Sequence, residues 1–107
     1  MEEEKVLSLF GALSNETRLR MLRALVQSSG GMNAGDVATA VGATPSRASF
    51  HLSNMAEAGV LEATRNAREI IYTVKFATLG NLVRYLLEDC CANNSEMRGC
   101  CIPSSTC

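Results

Sequence analysis

The stretch Thr44-Pro45-Ser46-Arg47-Ala48-Ser49-Phe50-His51-Leu52-Ser53-Asn54-Met55-Ala56-Glu57-Ala58-Gly59 reads as one helix with both ends marked. Thr44 is a residue type that caps the free N–H groups of a first helical turn. Pro45 follows at the first helical position, where its missing donor costs nothing. Gly59 stands where a left-handed C-terminal cap is wanted. Ala48, Leu52 and Met55 fall at i, i+4 and i+7, which predicts a core-facing stripe. The opposite face carries Ser46, Arg47, Phe50, Ser53 and Asn54, with His51 on its flank. Short hydrogen-bonding side chains can reach base edges in a major groove, and a face without carboxylates does not repel phosphates. The helix therefore reads as a DNA-recognition helix, with Ser49 turned partly inward.

Downstream, Val60 to Thr64 and Glu69 to Lys75 are β-prone, and Ile70, Tyr72 and Val74 alternate with Ile71 and Thr73 as a half-buried strand would. The polar turn between them holds Arg65 and Arg68, so the pair predicts a wing whose tip suits a phosphate backbone or a minor groove. Upstream, a short helix from about Asn33 to Val41 ends at Gly42 and leads straight into Thr44, which is a helix-turn-helix spacing. Before it, Ser14 is expected to cap a helix with an apolar stripe of Leu19, Leu22, Leu25 and Val26. Arg18, Arg20 and Arg23 fall off that stripe and read as a solvated face or a phosphate contact. Val6, Leu9, Phe10 and Leu13 define a first amphipathic helix. A last one, starting near Ala77 or Thr78, aligns Leu79, Leu82, Val83, Leu86 and Cys90. Beyond Cys91 the periodicity stops, and an irregular tail is expected.

The expected fold is mainly α with a small β-wing, a winged helix-turn-helix in the order α-α-α-α-β-β-α. Residues 1–92 form the domain and 93–107 a cysteine-containing tail. No apolar run approaches the roughly 18 residues of a membrane span, and the start Met1-Glu2-Glu3-Glu4 is unlike a signal peptide, so a cytoplasmic protein without a membrane partner is expected. The net charge of −1 conceals an uneven distribution. Residues 14–75 hold seven basic and five acidic side chains, and the acidic excess lies outside them. The modest positive balance predicts few phosphate contacts and a moderate salt dependence.

Asn15-Glu16-Thr17-Arg18-Leu19-Arg20-Met21-Leu22 resembles the "lsnpTRLrIL" opening of ArsR-type winged-helix repressors. The stretch from Thr44 to Leu52, with Glu57-Ala58-Gly59-Val60-Leu61, is similar to their "S-x-x-S-x-H-L-x-x-L-x-x-A-G-L-V" recognition helix. Arg65 through Tyr72 resembles their "R-x-G-R-x-x-Y" wing, with Ala67 at the usual glycine position. The likeness runs from about residue 5 to residue 90. It implies a homodimer whose first and last helices form the dimer layer, a double-stranded operator with two half-sites, and repression relieved by an inducer. On this reading Ser46, Arg47, Ser49, Phe50, His51 and Asn54 contact the operator, and Arg65 and Arg68 grip its backbone. Phe50, at a usually polar position, is expected to touch a thymine methyl.

The family's sensor sites differ between members. A Cys-x-Cys-x-x-Asp-Leu run before the recognition helix is absent, since Asn33-Ala34-Gly35-Asp36-Val37 has no cysteine. The Asp/His/Glu zinc site of the last helix is absent, as the one histidine is His51. A persulfide pair is absent too, because the second helix has no cysteine. What remains is Cys90-Cys91, Cys100-Cys101 and Cys107, all five cysteines within the last eighteen residues. Clustered thiolates without imidazole favour soft ions. Trivalent arsenic or antimony takes three sulfurs, and the arrangement resembles members with a Cys-Cys pair at the end of the last helix plus a downstream cysteine. The expected ligands are Cys90 and Cys91, with Cys100 or Cys101, and Cys107 held open. Four thiolates would suit cadmium, lead, mercury or zinc; two would suit a methylated arsenical. Thiol oxidation to disulfides is a rival trigger, and a DNA-binding adaptor with an inert tail is another. A thiol enzyme is disfavoured, because no Cys-x-x-Cys and no activating partner is present. No catalytic residue and no organic cofactor are expected.

Overall fold

The computed structural model describes residues 1–101, with side chains through Gly99. Three helices, α1 (Glu3–Leu13), α2 (Glu16–Gln27) and α3 (Ala34–Val41), precede the recognition helix α4 (Pro45–Ala58). Strands β1 (Leu61–Asn66) and β2 (Glu69–Val74) form an antiparallel hairpin, and α5 (Phe76–Arg84) runs on through a π-helical turn over Tyr85–Cys90. The order matches the winged helix-turn-helix expectation. One element is added: a short helix, α6 (Ser95–Cys101), stands where an irregular tail was expected. Its N-terminus is set by Asn94, whose side-chain oxygen accepts from the amides of Glu96 and Met97 at 3.0 and 3.2 Å.

Each cap around α4 is made as its residue types dictate. The Thr44 hydroxyl accepts from the Arg47 amide at 3.2 Å, and Gly42 and Gly59 both take left-handed conformations. The C-terminal carbonyl of Ala58 also accepts from Lys5 Nζ at 2.9 Å, so a cation from α1 sits at the negative end of the α4 dipole. For α2 the cap is Asn15 rather than Ser14: the Asn15 side chain accepts from the Arg18 amide at 3.1 Å.

The core gathers Val6 and Leu9 of α1, Met21 and Leu25 of α2, Val37 of α3, and Ala48, Leu52 and Met55 of α4, closed by Val60, Leu61, Tyr72 and Leu82. The buried face of α2 is rotated from the expected one. Met21 and Leu25 lie inside with Leu22 and Arg18 half-buried, whereas Leu19 and Val26 face out. Arg18, Met21, Leu22 and Leu25 are spaced i, i+3, i+4 and i+7, the pattern of a core stripe, and the arginine in it disguised that stripe. Phe10 and Val83 are likewise exposed rather than buried.

The wing is tied to the body by a third extended residue. Met32 exchanges backbone hydrogen bonds with Tyr72, its amide donating at 3.1 Å and its carbonyl accepting at 2.9 Å. Gly31 precedes it at φ +83°, beneath the β2 backbone. The α3 cap adds a second tie: the Asn33 side chain accepts from the Asp36 amide at 2.8 Å while its amide group donates to Glu69 Oε1 at 2.8 Å. At the wing tip a two-residue turn, Ala67-Arg68, joins Asn66 to Glu69, and Ala67 adopts φ +59°. That conformation explains why glycine is usual there.

Candidate nucleic-acid interface and C-terminal thiols

The outward face of α4 presents Ser46, Arg47, Ser49, Phe50 and Ser53 to solvent, with Asn54 half-buried behind them. Ser49, expected to turn partly inward, is exposed. Asn54 Nδ2 donates to the Phe50 carbonyl at 3.1 Å, which leaves its oxygen unengaged by that bond. Phe50 is 64% exposed on this face. It is the one aromatic side chain among polar neighbours on this face.

His51 was expected on the operator, and the structure turns it inward instead. The residue is only 7% exposed, and its Nδ1 accepts from Arg18 Nε at 3.0 Å. That bond places the ring proton on Nε2. Arg18 Nη1 also donates to the Ala12 carbonyl at 3.4 Å, near the C-terminal end of α1. The His51 pKa is lowered, first by burial, then by the Arg18 and Arg47 charges. The Phe50 and His51 rings meet edge to face with centroids 5.6 Å apart. Of the other α2 arginines, Arg20 pairs with Glu16 at 2.8 Å on the surface and Arg23 is exposed.

Arg65 lies near the end of β1 and Arg68 in the tip turn, both exposed. Ser49 and Arg68 line one open cleft of about 410 Å³ together with Asn33, Gly35, Ile70 and Glu69, whose carboxylate accepts from the Asn33 amide group. The recognition helix, the α3 N-terminus and the wing thus converge, bringing residues nineteen positions apart into a single surface that a polyanion's backbone could enter.

After α5, the π-helical turn ends at Cys90, and Cys91 follows. Cys90 is exposed and Cys91 half-buried. The neighbouring Cys90 thiol raises the Cys91 pKa, and desolvation adds to the effect. Left-handed conformations at Ala92 and Asn93 then turn the chain, and Arg98 Nη1 donates to Asn93 Oδ1 at 2.6 Å across the turn. Among the described residues no three cysteine, histidine or acidic side chains converge on one point. The side chains of Cys100 and Cys101, and all of Cys107, lie outside the described residues, while the Cys100 and Cys101 backbone belongs to α6.

A helix-turn-helix domain family model matches residues 13–64. The crystal structure of the AntR antimony-specific transcriptional repressor is 36% identical, with 89% of this chain and 83% of that one aligned and a TM-score of 0.63. The chain belongs to the ArsR family of transcriptional regulators. The HTH-type transcriptional regulator YgaV of Escherichia coli K12 is 29% identical over 83 residues, 78% of this chain and 83% of that protein. The homodimeric winged helix-turn-helix domain of Mb0332 from Mycobacterium bovis, a possible ArsR-family regulator, is 28% identical, covers 80% and 84% of the two chains, and has a TM-score of 0.63.

Within this ArsR-family regulator, the DNA-reading unit is the segment that the domain model spans, from the end of α1 to β1. Three residues that position it escaped the sequence reading. Arg18 and Gly31 act through partners 33 and about 41 residues away in the chain, and no local pattern marks such pairings. Lys5 reaches the end of α4 across 53 residues. No helix among the described residues is long and apolar enough to cross a membrane.

Proposed function

We propose that this regulator is a homodimeric repressor that holds a two-half-site operator and releases it when trivalent arsenic or antimony binds its C-terminal thiolates. The observation that carries the reading is the Cys90–Cys91 pair: two adjacent free thiols, one exposed and one half-buried, at the end of the π-helical turn that continues α5. A vicinal thiol pair fits a thiophilic metalloid, and its protons leave on binding. The Cys100 or Cys101 sulfur is the proposed third ligand. The antimony-specific repressor aligned above supports a metalloid inducer by kinship. Two thiolates alone would favour a monosubstituted arsenical, and methylarsenite competing better than arsenite would select that alternative; cadmium, lead, mercury, zinc and thiol oxidation are the remaining arms of the same test. An operator-binding role makes the cytoplasm the expected location.

The operator-reading residues on this proposal are Ser46, Arg47, Ser49, Phe50 and Asn54, with Arg65 and Arg68 on the backbone. The structure motivates moving His51 from contact to support. Phe50 reads a thymine methyl, the one apolar feature of a base edge in the major groove. Phe50→Ala should cost about 1 kcal/mol per half-site, roughly fivefold in affinity, and flatten preference for thymine at one position. Replacing that thymine by deoxyuridine in the operator should produce the same loss for the native protein and none for the variant. Equal losses in both would remove the methyl contact.

The dimer follows from apolar surface that one chain leaves uncovered. Leu7 on α1 is 62% exposed and Val83 on α5 is 49% exposed, with Phe10 beside the first. Because the thiols end the helix that carries Val83, a ligand there can alter the spacing of two α4 helices. A hundredfold loss of operator affinity corresponds to about 2.8 kcal/mol, and DNA must weaken metalloid binding equally. The operator half of the proposal is tested by selection from a random duplex library with reduced protein. A two-fold symmetric sequence with half-sites about one DNA turn apart is expected. Enrichment of no sequence would contradict it.

A further inference from the structure

Arg18 joins three helices. It belongs to α2, donates to the Ala12 carbonyl near the end of α1 at 3.4 Å, and donates to His51 Nδ1 on α4 at 3.0 Å. The His51 ring lies on the inner side of α4, one residue from exposed Phe50 and edge-on to it. We infer that Arg18 and His51 form a positioning strut that sets the pitch of α4 against α1 and α2, so that operator binding requires the uncharged His51 ring. The inference rests on the operator-binding proposal and adds a condition to it.

The chemistry leaves one state of the strut. Nδ1 accepts only when it carries no proton, and a doubly protonated imidazolium has no acceptor for the Arg18 N–H. Protonation would also set two cations about 3 Å apart in a half-buried place. The charged groups acting on the ring are Arg18 from α2 and Arg47 from its own helix, both cationic. On the other packed elements, Lys5 of α1 is engaged at the Ala58 carbonyl, and Asp36 of α3 and Glu62 of β1 are at the surface. A carboxylate stands ready for a freed arginine: Glu57 and Asn54 line a cleft of about 290 Å³ with Arg18. Acid thus removes the bond between α2 and α4 and leaves Arg18 facing a cleft shared with another partner on α4, about one and two-thirds turns further along.

The sign separates this strut from a direct contact. A histidine that touched phosphate would gain charge in acid, and the operator would bind more tightly. A strut that needs the neutral ring loosens the operator in acid. Its folded pKa lies below the ordinary value of about 6.5, so affinity should be constant above that pH and fall as pH drops through the folded pKa.

The test is operator affinity by fluorescence anisotropy, with reduced full-length protein at fixed ionic strength, from pH 8.0 to 5.5. The native Kd should stay level down to about pH 6.5 and rise as the pH falls further, by about tenfold for each pH unit below the folded pKa. His51→Asn keeps an acceptor where Nδ1 stood and does not titrate; it should bind within about threefold of native at pH 7.5 and show a flat profile, each unit of log Kd being about 1.4 kcal/mol. Imidazole nitrogen shifts at pH 7.5, which need no variant to fold, should report the proton on Nε2. Tighter binding in acid, an unchanged slope in His51→Asn, or a proton on Nδ1 would overturn the strut. No operator binding at any pH would remove the operator proposal and the strut with it, whereas pH-independent binding would remove the strut alone.

Discussion

Gly31→Ala should lower the melting temperature by roughly 15 °C, a loss of about 3 kcal/mol for a domain of this size. A Cβ on Gly31 would sit 2.7 Å from the Tyr72 carbonyl oxygen and 2.7 and 2.8 Å from methyl groups of Thr73 and Ile71. Backbone on one side cannot yield as a flexible side chain would. The left-handed φ of +83° adds about 1–2 kcal/mol by itself, and displacing Met32 from its two hydrogen bonds to Tyr72 adds about 1 kcal/mol each. Gly30 makes the control, because a Cβ there meets nothing within 4 Å and its φ is not in the left-handed range. Circular-dichroism melts of the two variants should differ by most of the predicted shift. Equal melting temperatures would mean that Met32 does not hold the wing as described.

Val83→Glu should break the dimer and with it nearly all operator affinity. The helix α5 is anchored to its own chain through Leu82, with Leu79 and Tyr85 partly buried beside it, while Val83 points away. A carboxylate at the centre of a proposed apolar interface with α1 is desolvated without a partner, at a cost of several kcal/mol. A monomer binds one half-site and forfeits the effective concentration that links the second, a loss of about a hundredfold or more. Sedimentation velocity should show a monomer, with anisotropy showing the matching loss. Val26→Glu, equally apolar and exposed on α2, should leave assembly unchanged. A dimeric Val83→Glu protein would move the interface elsewhere.

The recognition helix and wing could be read from the chain because their signals are local. Thr44, Pro45 and Gly59 mark the ends of α4, and Ala48, Leu52 and Met55 repeat at the helical period between them. The strand pair announces itself by alternation from Ile70 to Val74. Failures came where a residue answers to something distant. Arg18 occupies a core-facing position on α2 because it serves α1 and α4, so of the expected stripe Leu22 and Leu25 turn inward while Leu19 and Val26 face solvent. His51 looks like a polar residue at the edge of a DNA-reading face, and only its bond to Arg18 shows which way the ring turns. The seven-residue α6 lacks an apolar repeat and is marked by its Asn94 cap alone. The excess of apolar positions on α1 and α5 was visible in the sequence. Periodicity alone does not divide that excess between the chain's own core and a partner, and Phe10 and Val83 remain outside the core. At the candidate inducer site, crowding of thiols at the C-terminus is a matter of composition. Which sulfur joins Cys90 and Cys91 depends on how α6 sits, and spacing does not determine that.

The most direct measurement is operator affinity under reducing conditions with arsenite titrated in, comparing the native protein with Cys90→Ser/Cys91→Ser. The account predicts tight binding by both proteins without arsenite, release of the native protein by about a hundredfold, equivalent to about 2.8 kcal/mol of coupling, and no release of the variant. Equal release of both proteins, or arsenite without effect on the native complex, would contradict it.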